Sequence, residues 1–241
     1  MADAIYAARN AGFEAVECHW PEAKDISQMK TALSETGLPL LSLNTNRGNF
    51  NNGDFGLSAL SGREAEAKDA IDTALDHAIA LDCQNIHVMA GKSDHNIEAQ
   101  ECFEQNLIYA CKASQKHKKT ILIEPINFTD APGYFLSTLD HALKTVESVK
   151  MSNLKIMFDC YHIATTHGDV FSRFKQAQHH IGHIQFASVP DRNEPDVGSV
   201  DYVSLLKKIS NYGWTGYFGA EYKPTTTTEA GLGWMKEFYN A

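Results

Sequence analysis

Short apolar runs alternate with amphipathic stretches along the whole chain. The runs fall at 13–20, 38–45, 85–91, 119–125, 154–162, 181–187 and 216–222. They have strand length, and their near-continuous hydrophobicity is the pattern of parallel strands covered on both faces. The stretches between them repeat apolar residues at spacings of three and four. The clearest, 61–82, sets Ala67, Ile71, Ala74, Ala78 and Leu81 on one face. Ser61 and Glu64 at its start have the spacing of a capping box. Further helices are expected near 2–11, 25–36, 96–117, 137–150, 169–178, 202–212 and 227–239, with Ser137 and Asp201 as N-caps.

Strand and helix in strict alternation imply a parallel sheet. An eightfold barrel of such units typically takes about 250 residues, and this chain has 241. An open doubly wound sheet would carry a glycine-rich phosphate loop after its first strand, and neither G-x-G-x-x-G nor G-x-x-x-x-G-K-[ST] occurs. The expectation is therefore an α/β chain, a TIM-type (β/α) barrel forming one domain over 1–241, with seven strands visible.

Composition narrows the partners. The formal charge is −9 and Lys and Arg form no cluster, which argues against nucleic acid or an anionic membrane. The five cysteines are scattered without a C-x-x-C pair, and read as reduced thiols in a cytoplasmic setting. No apolar run is long enough for a membrane span. The first residues, "MADAIYAARNAGFEAVEC", lack the apolar core of a signal peptide and read as a helix.

The chemistry lies where four consecutive apolar runs end. Barrel enzymes carry their active sites at the C-terminal ends of the strands. Those ends here are Glu124 in "ILIEPIN", Asp159 in "IMFDCYH", Gln185 in "HIQFA" and Glu221 in "GAEYKP". Three carboxylates converging on one poorly solvated mouth repel one another, and a divalent cation relieves that. Carboxylate and amide oxygens suit Mg²⁺ or Mn²⁺ better than a structural zinc. His162 lies just beyond Asp159. His87, in the middle of its run, is read equally well as a core residue or a site residue. Cys160 follows Asp159 with opposite strand parity and is not read as a nucleophile.

The segments "GLSALSGRE" (56–64), "IHVMAG" (86–91), "PDRNEPD" (190–196), "AEYKP" (220–224) and "EAGLGW" (229–234) together resemble the hydroxypyruvate isomerase family of xylose-isomerase-like TIM barrels. The resemblance covers nearly the whole chain. It implies that Glu124, Asp159, Gln185 and Glu221 bind a divalent metal, and that Glu124 and Glu221 also transfer protons. It implies a small 2-oxo acid substrate, isomerised between hydroxypyruvate and 2-hydroxy-3-oxopropanoate through an enediolate. His162 and Arg192 match positions that contact substrate in related enzymes. The substrate's carboxylate needs a cationic partner, for which Arg192 and Lys223 are the candidates. The alternatives are isomerisation of a longer 2-oxo acid such as 2-oxo-tetronate, or a low-activity or ligand-binding form. Two features depart from the resemblance. "NTNRGN" (44–49) carries Arg47 where relatives have proline, and a first strand ahead of the first helix is missing. A barrel lacking that strand is expected to stay open between 13–20 and 216–222, or to close there with distorted geometry. An open seam would favour self-association.

Overall fold

The computed structural model describes residues 1–239. Six parallel strands form one sheet in chain order: β1 (Ser42–Asn44), β2 (Asn85–His87), β3 (Thr120–Ile123), β4 (Leu154–Asp159), β5 (Ile181–Phe186) and β6 (Phe218–Ala220). Helices α1 (Ala2–Ala11) and α2 (Ile26–Thr36) precede β1. Then α3 (Glu64–Ala80), α4 (Ile97–Gln115), α5 (Leu139–Val149), α6 (Cys160–His167), α7 (Val170–Ala177) and α8 (Tyr202–Asn211) fill the crossovers, and α9 (Met235–Tyr239) follows β6. This is the TIM-barrel architecture expected from the alternating pattern. Ile121, Leu122 and Ile123 of β3 are all buried, so both faces of the strand are covered.

The run 13–20 is not a full strand. It makes one parallel bridge, Val16 with Leu40, plus a bond from the Cys18 amide to the Ser42 carbonyl at 3.0 Å. A strand held on one side alone has half the ladder available to an inner strand. The sheet nevertheless curls. In a flat sheet with strands about 4.8 Å apart, this segment would lie roughly 24 Å from β5. Instead His183 Nε2 of β5 is 2.9 Å from Glu17 Oε2. Below that contact the seam stays open, and among the described residues no ladder joins 13–20 to β6. An apolar cavity of about 780 Å³, lined by Ile5, Val16, Leu206, Phe218 and Trp234, occupies it.

Other departures are local. The run 154–162 ends as strand at Asp159, whose side chain caps α6 by accepting from the Tyr161 amide at 2.9 Å. Ser61 forms no capping box. Arg63, drawn to Asp54 and Glu66, is the N-cap of α3, and Glu64 accepts from the Gly62 amide. The buried face expected on that helix is present. Thr138, not Ser137, caps α5, whereas Asp201 caps α8 as expected. The helix expected over 227–239 shrinks to a 3-10 turn at Leu232–Trp234 and α9. Among the described residues no helix is long and apolar enough to cross a membrane, and all five cysteines are free.

Candidate active site

β3, β4, β5 and β6 lie side by side, and each delivers one oxygen-bearing side chain at or just past its C-terminal end. Asp159 and Gln185 are direct neighbours in the β4–β5 register. Glu124 follows Ile123, the last residue of β3. Glu221 follows Ala220, and its amide extends the ladder by bonding to the Phe186 carbonyl at 3.2 Å. Glu124, Asp159 and Gln185 are buried, while one-third of the Glu221 side chain is exposed.

The electrostatics follow from that crowding. Burial, then the charges of Glu221 and Asp159, push the Glu124 carboxyl well above its ordinary value. Burial raises Asp159 to about 6 and Glu221 to about 7, although Arg192 opposes both shifts. Arg192 Nη2 lies 2.9 Å from Glu221 Oε2 and 3.5 Å from Asp159 Oδ2, and its Nη1 lies 3.6 Å from Asp130 Oδ2. A tight loop after β5 presents it: the Arg192 amide bonds to the Ser188 carbonyl, and Arg192 itself is left-handed at φ 57. Lys223 is exposed, and its amide bonds to the Arg192 carbonyl at 2.7 Å. Of the two expected cations, Arg192 is thus within the cluster and already engaged by its carboxylates.

His162, on the first turn of α6, is buried, with Nε2 3.6 Å from Glu124 Oε1 and 3.5 Å from Asp159 Oδ2. Burial depresses it to about 3, so the ring is neutral. Its Nδ1 faces the Asn127 amide side chain at 2.7 Å and the Asn127 backbone N–H at 3.4 Å. The Asn127 oxygen is taken by the Asp130 amide, so it is the NH₂ group that meets the histidine. Nδ1 accepts, and the proton sits on Nε2, pointing at the carboxylates. Glu124, Asp159 and His162 are close enough to hold a cation together. A metal-ligating Nε2 would require the proton on Nδ1, where two donors already point.

Two further groups border the site: Glu17, which was not read from the chain as a site residue, and His87, for which core and site readings stood level. Glu17 Oε2 accepts from His183 Nε2 at 2.9 Å and from Gln185 Nε2 at 3.1 Å. Burial alone would raise its carboxyl, but His183 and Gln185 outweigh this and hold it below its ordinary value. Its signal was the one used for Glu124: an acid inside an apolar run, "FEAVEC". His87, at the end of β2, has both ring nitrogens buried without a partner, with Nδ1 3.7 Å from Glu124 Oε2. Burial lowers it to about 3. Cys160 is buried and its thiol is pushed up, which suits a packing residue.

A divalent cation fits this donor set. Glu124 Oε1 and Gln185 Oε1 are buried without a hydrogen-bond partner. Such atoms are costly to leave unpaired, and burial raises the carboxyls beside them, a shift that a bound cation would oppose. A divalent cation would offset negative charge that Arg192 alone does not balance, since Glu17 adds to the three carboxylates.

The family model described as xylose isomerase-like TIM barrel matches residues 5–238. The chain is 39% identical over 239 residues to a 2-oxo-tetronate isomerase of Cupriavidus necator, covering 98% of this chain and 92% of that protein. It is 36% identical over 234 residues to the hydroxypyruvate isomerase of Escherichia coli, covering 96% and 91%. A crystal structure described as an AP endonuclease, family 2, from Brucella melitensis superposes with a TM-score of 0.95 at 34% identity, covering 98% and 93%.

Proposed function

The chain belongs to the xylose isomerase-like TIM barrel family, and from that premise we propose that it is a metal-dependent isomerase of small 2-oxo acids, interconverting hydroxypyruvate and 2-hydroxy-3-oxopropanoate. The observation that carries this reading is the set Glu124, Asp159, Gln185 and Glu221 on four neighbouring strands, with partnerless buried oxygens facing a shared mouth. These four residues would hold Mg²⁺ or Mn²⁺. Once bound, the cation supplies Lewis-acid stabilisation for the negative charge that develops on adjacent substrate oxygens.

The protein's own groups move the protons. Glu124 takes a proton from C3, and the C–H electrons form the C2–C3 double bond of an enediolate as the carbonyl electrons move onto O2. A proton returned from Glu221 to C2, with loss of the O3 proton to O2, completes the exchange. Burial raises both carboxyls, which strengthens them as bases, and a bound cation would favour the ionised form that Glu124 needs to take a proton. Nε2–H of His162, aimed into the same space, donates to a substrate oxygen. Arg192 serves the substrate carboxylate, since a guanidinium matches it in two hydrogen bonds.

A longer substrate, 2-oxo-tetronate, is the second reading, favoured by the 39% identity to an isomerase of that compound. A nuclease reading is disfavoured because a chain with a formal charge of −9 gives little attraction for a phosphate backbone. The test is a metal-stripped enzyme resupplied with Mg²⁺ or Mn²⁺ and each 2-oxo acid in D₂O. Proton NMR should show metal-dependent deuterium incorporation at the carbon next to the carbonyl. Absence of exchange with either acid in excess metal would sink the proposal.

A further inference from the structure

A side-chain amide can enter a site with either of its ends. For Gln185 the difference is decisive, since only the oxygen can bind a cation. Nothing in β5 itself selects the orientation. The choice is made across the seam, by Glu17.

Glu17 Oε2 receives two donors, Gln185 Nε2 at 3.1 Å and His183 Nε2 at 2.9 Å. A carboxylate offers only acceptors, so Gln185 must turn its NH₂ group toward it. The amide oxygen is then left on the other side, buried and partnerless, on the strand position paired with Asp159. The neighbouring strand makes room for this. Gly219 of β6 lies beside Glu17, and a Cβ there would overlap Glu17 Oε1 and come within 3.1 Å of His183 Nε2. A residue with any side chain at 219 would force the Glu17 carboxylate to shift from this position.

We infer that Glu17 is a positioning residue: reaching from the first segment to β5, it holds the Gln185 amide with its oxygen committed to the cation and its NH₂ turned away. The inference rests on the metal reading above. Gly219 is the cut-out that seats Glu17. His183 fixes the second lobe of the same oxygen, so that Glu17 cannot swing away with Gln185.

The experiment measures Mn²⁺ binding to the metal-stripped protein by electron paramagnetic resonance, with circular dichroism as the check on folding. Glu17→Leu, which keeps the bulk and removes the acceptor, should weaken Mn²⁺ by about tenfold or more, the usual effect of losing a group that orients a ligand. Glu17→Gln retains an acceptor oxygen and should stay within about threefold of wild type. Gly219→Ala, which displaces Glu17 without altering it, should reproduce the Leu defect. The decisive comparison is the cycle with Gln185→Leu. In that background Glu17→Leu should cost no further affinity, because there is no amide left to orient. An additive loss, or a Glu17→Leu variant that binds Mn²⁺ as wild type does, overturns the inference. Wild-type protein that binds no Mn²⁺ overturns the metal reading itself, a different and separately visible result.

Discussion

Asn127 donates to Nδ1 of His162 at 2.7 Å, and so fixes which nitrogen of that ring carries the proton. His162 lies between two carboxylates, and the proton on Nε2 suits it to donate to a substrate oxygen, the role proposed for it. His162→Ala is therefore expected to lower kcat by about 10²-fold while leaving the Mn²⁺ dissociation constant within about threefold of wild type. Isothermal titration of the stripped variant decides the matter. A loss of affinity comparable to that of a carboxylate variant would make the histidine a ligand.

Glu124→Gln and Glu221→Gln should each abolish turnover, with losses of about 10²–10⁴-fold from the missing acid–base group alone. Weaker metal binding adds to that loss. Deuterium exchange into substrate at saturating metal is the measurement. Retention of about a tenth of wild-type activity by either variant would remove it from its assigned role.

Asp159→Asn should behave differently, because the carboxylate is assigned no proton to move. Its remaining activity should rise with Mg²⁺ or Mn²⁺ concentration well beyond the range that saturates wild type. A flat metal titration would contradict this division of labour.

Without metal, stability should depend on pH in a definite direction. The folded protein holds protons on Glu124, Asp159 and Glu221 that the unfolded chain releases at lower pH. Their contribution is fully present below the unfolded carboxyl values and is lost as pH rises through about 6 and about 7. His87 and His162, depressed to about 3, act in the opposite sense below 6.5 and are constant above it. The metal-free melting temperature should therefore fall between about pH 6.5 and 8, and saturating Mg²⁺ should reverse the fall. A metal-free melting temperature that rises across this interval would be inconsistent with the buried carboxyl cluster.

The cavity at the seam offers a test of the fold. A strand of about six apolar residues joined ahead of Met1 would have the edges of β6 and of 13–20 to pair with, and about 780 Å³ of apolar space to fill. It should raise the melting temperature and improve turnover. If neither changes, the barrel is satisfied without an additional strand.

Much of this was legible along the chain, for identifiable reasons. Ile121, Leu122 and Ile123 leading into Glu124 say both that a strand is buried and that its end carries a charge. The same grammar gives Asp159, Gln185 and Glu221. It misleads at 160–162, because Asp159 ends a strand and caps a helix at once, and the apolar character continues across that change. Ser61 had the right spacing for a capping box, yet Arg63 was pulled to Asp54 and Glu66. Glu17 lay in an apolar run like the others, but its meaning depends on a partner 166 positions away. The protonation of His162 depends likewise on an asparagine from another loop.

The placement of that distant pair has a consequence for how the molecule comes into being. Glu17 is made before Gln185, His183 and Gly219, with His183 lying 166 positions further along the chain. Until β5 and β6 dock, the amide can present either end, and the charges of the mouth are incomplete. Because contacts between remote positions are the last and slowest to form, metal capture should report the end of folding. A metal-binding signal that develops in step with the final kinetic phase, and not with the earlier collapse, would time the moment when the two sides of the seam meet.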